Sequence, residues 1–415
     1  MLNIKEIKDN QGFSEIIRSK LSGLRADTIL YVNYPYCTNF CRFCIYKIQK
    51  HTKQKQDIFL RYLSKEINLY KKYIGNFQFK NLHIGGGTPN LCNPKLLIEP
   101  LQDLVELDKL ERFVMEIFPS ENLTKYLEQL APYKVKKIQL GVQTLNDNIL
   151  KAENREVSSK TILDNMKILS KSQYAWSVDL IYGFDKEKKF GRNYKEELKR
   201  ILKYEPDGIH FYELAFSYKN NHYGKKFINK KYRYIKNTAL SECEQIVKIN
   251  AYNLIYDEWC RTQANKKYAK KTVCYNEDTE AFPHILGLGL GANSFFRFST
   301  YSNTKELNIY KYFLDNNLFP LQVYFDHLKN YSYPILNVYM AIKRKGIFNY
   351  KKFVANANLN TLEITQLDNL YKYLKRYKLK ITDNKEIVLT KNQGPKYFFL
   401  IKKFYLNTVN NLIND

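Results

Sequence analysis

The sequence predicts an α/β fold, a parallel sheet covered by helices, followed by a smaller C-terminal unit. Short apolar segments alternate with helical patterns between residues 29 and 214, as they do in parallel sheets. The chain has 415 residues, which exceeds the usual size of a domain with a single hydrophobic core. We therefore expect a large domain with one or two smaller ones. Periodicity alone leaves two architectures open, a partial barrel and a doubly wound open sheet.

Six segments are predicted as strands because each is short, apolar and rich in β-branched or aromatic residues. They cover residues 29–33, 82–84, 113–117, 137–142, 176–181 and 208–212. Apolar residues at helical spacing predict helices over residues 58–73 and 160–170. Near the C-terminus, residues 364–374 repeat this spacing, and residues 380–382 and 387–389 flank a turn at 383–385. Helix followed by hairpin suggests a winged-helix-like module.

Three cysteines, Cys37, Cys41 and Cys44, follow the first predicted strand in a Cys-x-x-x-Cys-x-x-Cys run. Thiolates this close can hold an iron–sulfur cluster, and a four-iron cluster with only three Cys ligands leaves one iron open. A zinc site needs a fourth Cys or His at motif spacing, and the nearest candidate, His51, lies in a polar stretch. We therefore expect a [4Fe–4S] cluster, with zinc and a disulfide as the alternatives.

The other four cysteines, Cys92, Cys243, Cys260 and Cys274, are scattered singly. Isolated cysteines are most often small buried apolar residues. They suit a reducing compartment better than a disulfide framework.

A glycine-rich turn, Gly85-Gly86-Gly87-Thr88-Pro89, follows the second predicted strand. Its backbone can approach a ligand closely. Together with the cysteine run it resembles the radical S-adenosylmethionine (SAM) superfamily, in the branch typified by oxygen-independent coproporphyrinogen III oxidases and haem chaperones. The further landmarks are Tyr31 to Cys37, Met115-Glu116-Ile117, Leu140-Gly141-Val142-Gln143, Asn154-Arg155-Glu156, Asp179 to Gly183, Tyr212-Glu213-Leu214 and Leu286 to Ala292.

The resemblance implies a partial (β/α)6 TIM-like barrel with a C-terminal winged-helix-like α+β domain. The expected units are an N-terminal arm over residues 1–28, a radical SAM core over 29–220, a barrel extension with the substrate side over 221–330, and the C-terminal domain over 331–415. In this branch a similar C-terminal domain closes over the substrate. We favour that role for the winged-helix-like module over the recognition of nucleic acid.

The resemblance also implies the roles of individual residues. Cys37, Cys41 and Cys44 would bind three irons, and SAM would chelate the fourth. The residues expected to bind SAM, as one or two molecules, are Tyr31, Phe43, Gly86, Gly87, Thr88, Glu116, Gln143, Arg155 and Asp179. Plain structural roles stay open: a core aromatic for Phe43, a strand-core residue for Tyr31, and solvated or salt-bridged surface groups for Glu116, Gln143, Arg155 and Asp179. Independently of the family, these landmarks fall at the carboxyl ends of predicted strands, where parallel α/β folds place their sites.

A glycine series, Gly287, Gly289 and Gly291, lies in residues 285–296. Its Gly-x-Gly-x-Gly spacing does not fit the dinucleotide fingerprint. It resembles the segment with which this branch closes the barrel mouth. We expect either the substrate side of the pocket or a tight structural turn.

The formal net charge of +26 raises the question of nucleic acid. Lys is spread along the whole chain with Asn, Ile and Tyr, which a coding bias explains, so we do not expect a nucleic-acid partner. A basic surface can still steer an anionic substrate. The longest apolar runs are shorter than the roughly 18 residues of a spanning helix, and the charged N-terminus does not resemble a signal peptide. We expect a cytoplasmic monomer that takes electrons from a donor such as flavodoxin or ferredoxin.

Three features separate the chain from the best-known members of the branch, the oxidases with their longer N-terminal arm and the haem chaperones. Ile45-Tyr46 follows Cys44 where the oxidases carry Gly-Cys, and only 36 residues precede Cys37. Cys274-Tyr275-Asn276 stands where the chaperones carry His-Asn. The resemblance as a whole predicts a radical SAM enzyme, and these differences leave its substrate open: a tetrapyrrole or another unsaturated small molecule. A haem-binding or haem-transfer protein and a radical methylase of a natural-product pathway are the alternatives.

Overall fold

The computed structural model describes residues 4–21, 24, 27–46, 48–184, 186–214, 243, 245–246, 252–255, 262–266, 284–296, 299–326, 335, 338, 347–357, 361–376, 386–388, 400 and 404. The described part is built on one twelve-stranded sheet. Its strands are β1 (Ile29–Tyr34), β2 (Asn81–Gly86), β3 (Arg112–Ile117), β4 (Lys137–Gln143), β5 (Ala175–Tyr182), β6 (Gly208–Glu213), β7 (Tyr252–Ile255), β8 (Thr262–Lys266), β9 (Ile285–Leu288), β10 (Asn293–Phe296), β11 (Ser299–Asn303) and β12 (Leu321–Asp326).

Helices connect and cover these strands. They are α1 (Ile4–Leu21), α2 (Lys53–Ile74), α3 (Pro94–Ile98), α4 (Leu123–Leu130), α5 (Asp147–Ala152), α6 (Ser159–Ser170), α7 (Tyr194–Leu202), α8 (Leu307–Asp315), α9 (Tyr350–Ala357) and α10 (Thr361–Lys375). A small second sheet joins β13 (Ile347–Asn349) to β14 (Glu386–Val388). No helix in the described ranges is both long and apolar enough to cross a membrane.

The six parallel strands β1 to β6 lie side by side in chain order. A doubly wound sheet reverses its strand order at a switch point, so this sequential order favours the partial barrel. On the other side of β1 lies β9, parallel to it, followed by antiparallel β10, β11 and β12. Beyond β6 come antiparallel β8 and β7. In the described ranges no ladder joins β7 to β12.

All six predicted strands and both predicted core helices are confirmed, each within a few residues of the expected bounds, except that α2 starts earlier than predicted. Helix α2 begins at Lys53 because the Thr52 side chain accepts a hydrogen bond from the Lys55 N–H at 3.2 Å. It ends where Gly75 takes a positive φ of 61° and donates its N–H to Lys71. Its buried face packs Phe59 edge-on against Tyr34 and Tyr36 of the strand side.

The two faces of the parallel sheet differ in exposure. In β1, Leu30, Val32 and Tyr34 are fully buried, whereas Tyr31 and Asn33, which alternate with them, are only half-buried. The same alternation recurs at the carboxyl halves of β3, β4 and β5, where the half-buried positions are Glu116, Gly141, Gln143, Asp179 and Ile181. Since alternate residues point to opposite faces, the candidate residues share the open inner face, opposite the helices.

The C-terminal helical pattern is confirmed as α10, in which Leu367, Leu370 and Leu374 are buried. Ile387 of the predicted hairpin lies in β14, and its partner is Phe348 of β13. Residues 380–385, which hold the other expected strand and the turn, lie outside the described residues. The predicted domain boundaries and winged-helix assignment stay predictions.

Candidate functional site

The cysteine loop leaves the carboxyl end of β1 and is closed at its base. Tyr36–Cys37 and Gln49–Lys50 form a short parallel pair, and the N–H of His51 donates to the Cys37 carbonyl at 2.9 Å. The His51 ring contacts the Gln56 side chain at 3.0 Å. That contact engages the imidazole with a side chain of α2.

The described cysteines, Cys37, Cys41, Cys44, Cys92 and Cys243, form no disulfides with one another. The pKa of the Cys44 thiol is raised to about 12, chiefly by burial and in smaller part by the neighbouring thiols Cys41 and Cys37. In the ranges described, no three ligating side chains lie close enough for a single metal ion. Cys92 and Cys243 are buried as expected, and Cys260 and Cys274 lie outside the described residues.

The glycine turn lies directly against the cysteine loop. The Gly87 N–H donates to the Tyr34 carbonyl at 2.6 Å and the Thr88 N–H to the Tyr36 carbonyl at 2.9 Å. The Thr88 hydroxyl lies 3.3 Å from the Cys37 sulfur. A Cβ on Gly87 would stand 2.5 Å from the Tyr36 carbonyl oxygen and 3.0 Å from that sulfur, so only glycine fits. The two motifs that the sequence singled out therefore meet in space.

Glu116, at the end of β3, lies over the glycine turn. Its carboxylate accepts from the Gly86 N–H at 3.3 Å and contacts His83 Nε2 at 2.8 Å. His83 in turn meets the Tyr31 ring edge-on, with ring centroids 5.3 Å apart. Tyr31 is thus linked to the site through His83.

Arg155 joins the cysteine loop to β4. Its Nη1 lies 3.7 Å from the Cys41 sulfur, and its Nη2 donates to the Gly141 carbonyl. The guanidinium lies over the rings of Phe118 and Phe43, at 4.3 and 5.9 Å from their centroids. Its buried Nε has no hydrogen-bond partner among the described residues. An unpaired buried donor on a cation is an anchor for an anionic group.

Gln143 and Asp179 complete the set on β4 and β5. The Gln143 amide nitrogen and Arg155 Nη2 both border Gly141, since they lie 3.2 and 3.4 Å from where its Cβ would be. Asp179 is the ladder partner of Gly141. All the candidate residues thus form one connected group, and Phe43 also packs on Phe184, with centroids 5.7 Å apart.

The Asp179 carboxylate is held by two residues that sequence reasoning missed. Gln139 Nε2 donates to both of its oxygens at 3.0 and 2.9 Å, and His210 Nδ1 lies 2.8 Å from Oδ1. His83 does the same for Glu116. A signal was present, since each of these three is a polar residue between apolar neighbours in a strand.

The glycine series after β9 has a packing explanation. Gly289 has a φ of 94°, and a Cβ there would lie 2.6 Å from the Asn33 carbonyl oxygen. Its N–H donates at 2.7 Å to Glu66, a fully buried carboxylate of α2 that also accepts from Asn303 at 2.7 Å and Tyr310 at 2.5 Å. These contacts support the structural interpretation, and a substrate role stays a prediction. Glu66 was missed although it lies in the apolar stripe of α2.

Comparison with known proteins agrees with this geometry. Residues 31–190 match the family model described as "Radical SAM superfamily". The heme chaperone HemW of Lactococcus lactis is 28% identical over 37% of this chain and 40% of that protein. The oxygen-independent coproporphyrinogen III oxidase of Salmonella typhimurium is 24% identical over 68% of this chain and 64% of that protein. The chain thus spans less than two thirds of the length of these curated relatives.

A solved structure shares the fold over nearly the whole chain. The coproporphyrinogen III oxidase HemN from Escherichia coli, described as a radical SAM enzyme, superimposes with a TM-score of 0.76 at 20% identity and covers 94% of this chain and 93% of that one. Residues 31–190 thus carry a radical SAM domain. Among radical SAM proteins, the chain is similar to oxygen-independent coproporphyrinogen III oxidases and haem chaperones in sequence, and to one of these oxidases in fold.

Proposed function

We propose that the chain is a radical SAM enzyme that holds a [4Fe–4S] cluster on Cys37, Cys41 and Cys44 and acts on a tetrapyrrole or another unsaturated small molecule. When bound, a reduced cluster and SAM supply a 5′-deoxyadenosyl radical that abstracts hydrogen. The observation that carries the proposal is the contact of the cysteine loop with the glycine turn, where the Thr88 hydroxyl lies 3.3 Å from the Cys37 sulfur. A metal-binding loop and an open backbone turn thus share one place.

The surrounding residues suit the binding of SAM. Carbonyls of Gly86, Gly87 and Thr88 can accept from its amino group, and the free Nε of Arg155 can pair with its carboxylate. Glu116 and Asp179 accept from amino or hydroxyl groups, Gln143 adds an amide, and Phe43 and Tyr31 offer aromatic faces. Glu116 and Asp179 are pre-oriented by His83 and by Gln139 with His210. Pre-orientation lowers the entropy cost of binding.

The remaining expectations belong to the same proposal. The net charge of +26 favours an anionic substrate. A reductant such as flavodoxin or ferredoxin delivers the electron, one or two SAM molecules bind, and the protein works as a cytoplasmic monomer.

A second candidate is a haem-binding or haem-transfer protein on the same fold. The observation that favours it is the Lactococcus lactis relative, whose name is heme chaperone. A haem carrier does not need ordered polar side chains for SAM. The contacts that hold Glu116 and Asp179 in place therefore favour the enzyme. A radical methylase remains the third candidate on the enzyme side.

Anaerobic reconstitution, reduction and incubation with SAM test the proposal. We expect about four irons and four sulfides per chain and release of 5′-deoxyadenosine. Adding coproporphyrinogen and following decarboxylated porphyrin tests the oxidase reaction, and S-adenosylhomocysteine would reveal a methylase. A stable haem complex without 5′-deoxyadenosine would establish the carrier instead.

A matched control keeps the fold and removes the metal ligands. The variant in which Cys37, Cys41 and Cys44 are all replaced by Ala should bind no cluster and release no 5′-deoxyadenosine. Full cluster content in that variant would contradict the proposal.

A further inference from the structure

A buried arginine outside the cofactor residues ties the carboxyl ends of β4 and β5 together. The Arg192 side chain is 1% exposed and forms ion pairs with Glu187 at 2.6 Å and Glu197 at 2.8 Å. Its guanidinium lies over the Tyr194 ring, 4.4 Å from the centroid. Burial alone would lower the pKa of Arg192, but Glu197, Tyr194 and Glu187 raise it above its ordinary value, so the side chain stays cationic.

The same guanidinium holds two strand ends through their carbonyls. Its Nη2 donates at 3.2 Å to the carbonyl of Gln143, which is the last residue of β4. Its Nη1 donates to the Ile181 carbonyl of β5 at 2.6 Å. A planar guanidinium can serve two carbonyls and two carboxylates at once because its five N–H groups point outward in a fixed fork.

The two carboxylates extend the clamp to the loops that follow those strands. Glu187 accepts a hydrogen bond at 3.0 Å from the N–H of Gly183, which is the first residue after β5. Glu197, on α7, accepts from the N–H of Leu145 just after β4. Both loops are thus fixed to one buried network.

The position that most needs this support is Gln143. Its φ is 68°, which is costly for a residue with a side chain, and the ladder between β4 and β5 is irregular between Gly141 and Gln143. The unusual backbone aims the Gln143 amide at Gly141, beside the Arg155 guanidinium. The carbonyl turned toward Arg192 is the other consequence of the same conformation.

We propose that Arg192, with Glu187 and Glu197, is a positioning residue for SAM binding, which it serves by holding Gln143 in its left-handed conformation. The proposal rests on the proposed function, because Gln143 acts on SAM only if the chain binds it. Arg192 itself does not touch the cofactor residues' side chains, and its effect on affinity passes through the Gln143 backbone.

The test uses the full chain with its cluster reconstituted, and the variants Arg192→Lys, Gln143→Ala and their combination. Lys keeps the charge and loses the fork. We expect unchanged iron content and a SAM dissociation constant about tenfold higher in Arg192→Lys. The double variant should bind SAM no more weakly than Gln143→Ala alone, since both changes remove one interaction. Additive losses, or an unchanged affinity in Arg192→Lys, would overturn the positioning role.

A control and a second measurement separate this role from general stability. Arg112 is also buried, at 8% exposure, but it is the first residue of β3 and so lies at the amino ends of the parallel strands, away from the site. Arg112→Lys should leave SAM affinity within about twofold of the wild type. Hydrogen exchange at the Leu145 and Gly183 amides should quicken in Arg192→Lys alone, and equal exchange in both variants would overturn the clamp. Failure of the wild type to bind SAM would instead overturn the proposed function.

Discussion

Replacing the buried carboxylate of Glu66 should change how the stability of the protein depends on pH. Glu66 is fully buried, and its pKa is raised from 4.5 to about 7 by burial, against the hydrogen bonds from Tyr310, Gly289 and Asn303, which lower it. A raised pKa means that the folded state binds the proton more tightly than the unfolded state. The stabilising contribution is therefore complete below about pH 4.5 and is lost as the pH rises through 7.

The size of the effect follows from the shift. A change from 4.5 to about 7 corresponds to about 3 kcal/mol of unfolding free energy, of which about 2.5 kcal/mol should disappear between roughly pH 5 and pH 8. Glu66→Gln removes this titration. It also adds a constant cost of about 1–3 kcal/mol, because the amide offers one acceptor oxygen to three donors and turns its NH2 toward Asn303.

Urea unfolding of wild type and Glu66→Gln, followed by tryptophan fluorescence across this pH range, measures the difference. Trp176 is 3% exposed on β5 and reports on the core. The unfolding free energy of the wild type minus that of Glu66→Gln should fall by about 2.5 kcal/mol from pH 5 to pH 8. Glu128→Gln, at an exposed position of α4, serves as the control and should follow the wild type. Parallel pH profiles for wild type and Glu66→Gln would refute the reasoning.

The remaining predictions concern the cofactor site. Cys37→Ala should lose both the brown absorbance of the cluster and its iron, whereas Cys92→Ser, at a buried position, should keep the full iron count. A full iron count in Cys37→Ala would contradict the assignment of Cys37 as a ligand. Asp179→Ala should weaken SAM binding roughly ten- to a hundredfold with the cluster intact, and equilibrium dialysis with an unchanged affinity would remove Asp179 from the site. Gly87→Ala should disturb the turn, because its Cβ would lie 2.5 Å from the Tyr36 carbonyl oxygen, and normal SAM affinity would argue against a role for that turn.

Sequence reasoning succeeded where the signal was local. The six core strands followed from short apolar runs, and the cysteine loop and glycine turn were visible as motifs. Strand order was beyond periodicity, because the choice between a partial barrel and a doubly wound sheet depends on which strands pair. The ladders, such as Tyr31 opposite His83, supplied that information.

Most of the missed residues depend on contacts between distant parts of the chain. Glu66 and Gly289 are 223 positions apart, and Asp179 and His210 are 31 apart. A Glu within an apolar helical stripe indicates burial but does not name its partners. Arg192 lies in a Lys-rich stretch where a surface role is the default, and only the fold shows that its side chain is enclosed.

The position of Arg155 has a thermodynamic consequence for the proposed enzyme. One guanidinium reaches the Cys41 sulfur, the Gly141 carbonyl and the Phe43 ring, so the cysteine loop and β4 share a single side chain. If the loop holds the proposed cluster, affinities coupled in this way are reciprocal: the factor by which SAM stabilises the loaded loop is the factor by which the loaded loop strengthens SAM binding. Loss of the cluster would then weaken SAM binding by that factor, and absence of SAM would weaken the hold on the cluster equally without releasing it.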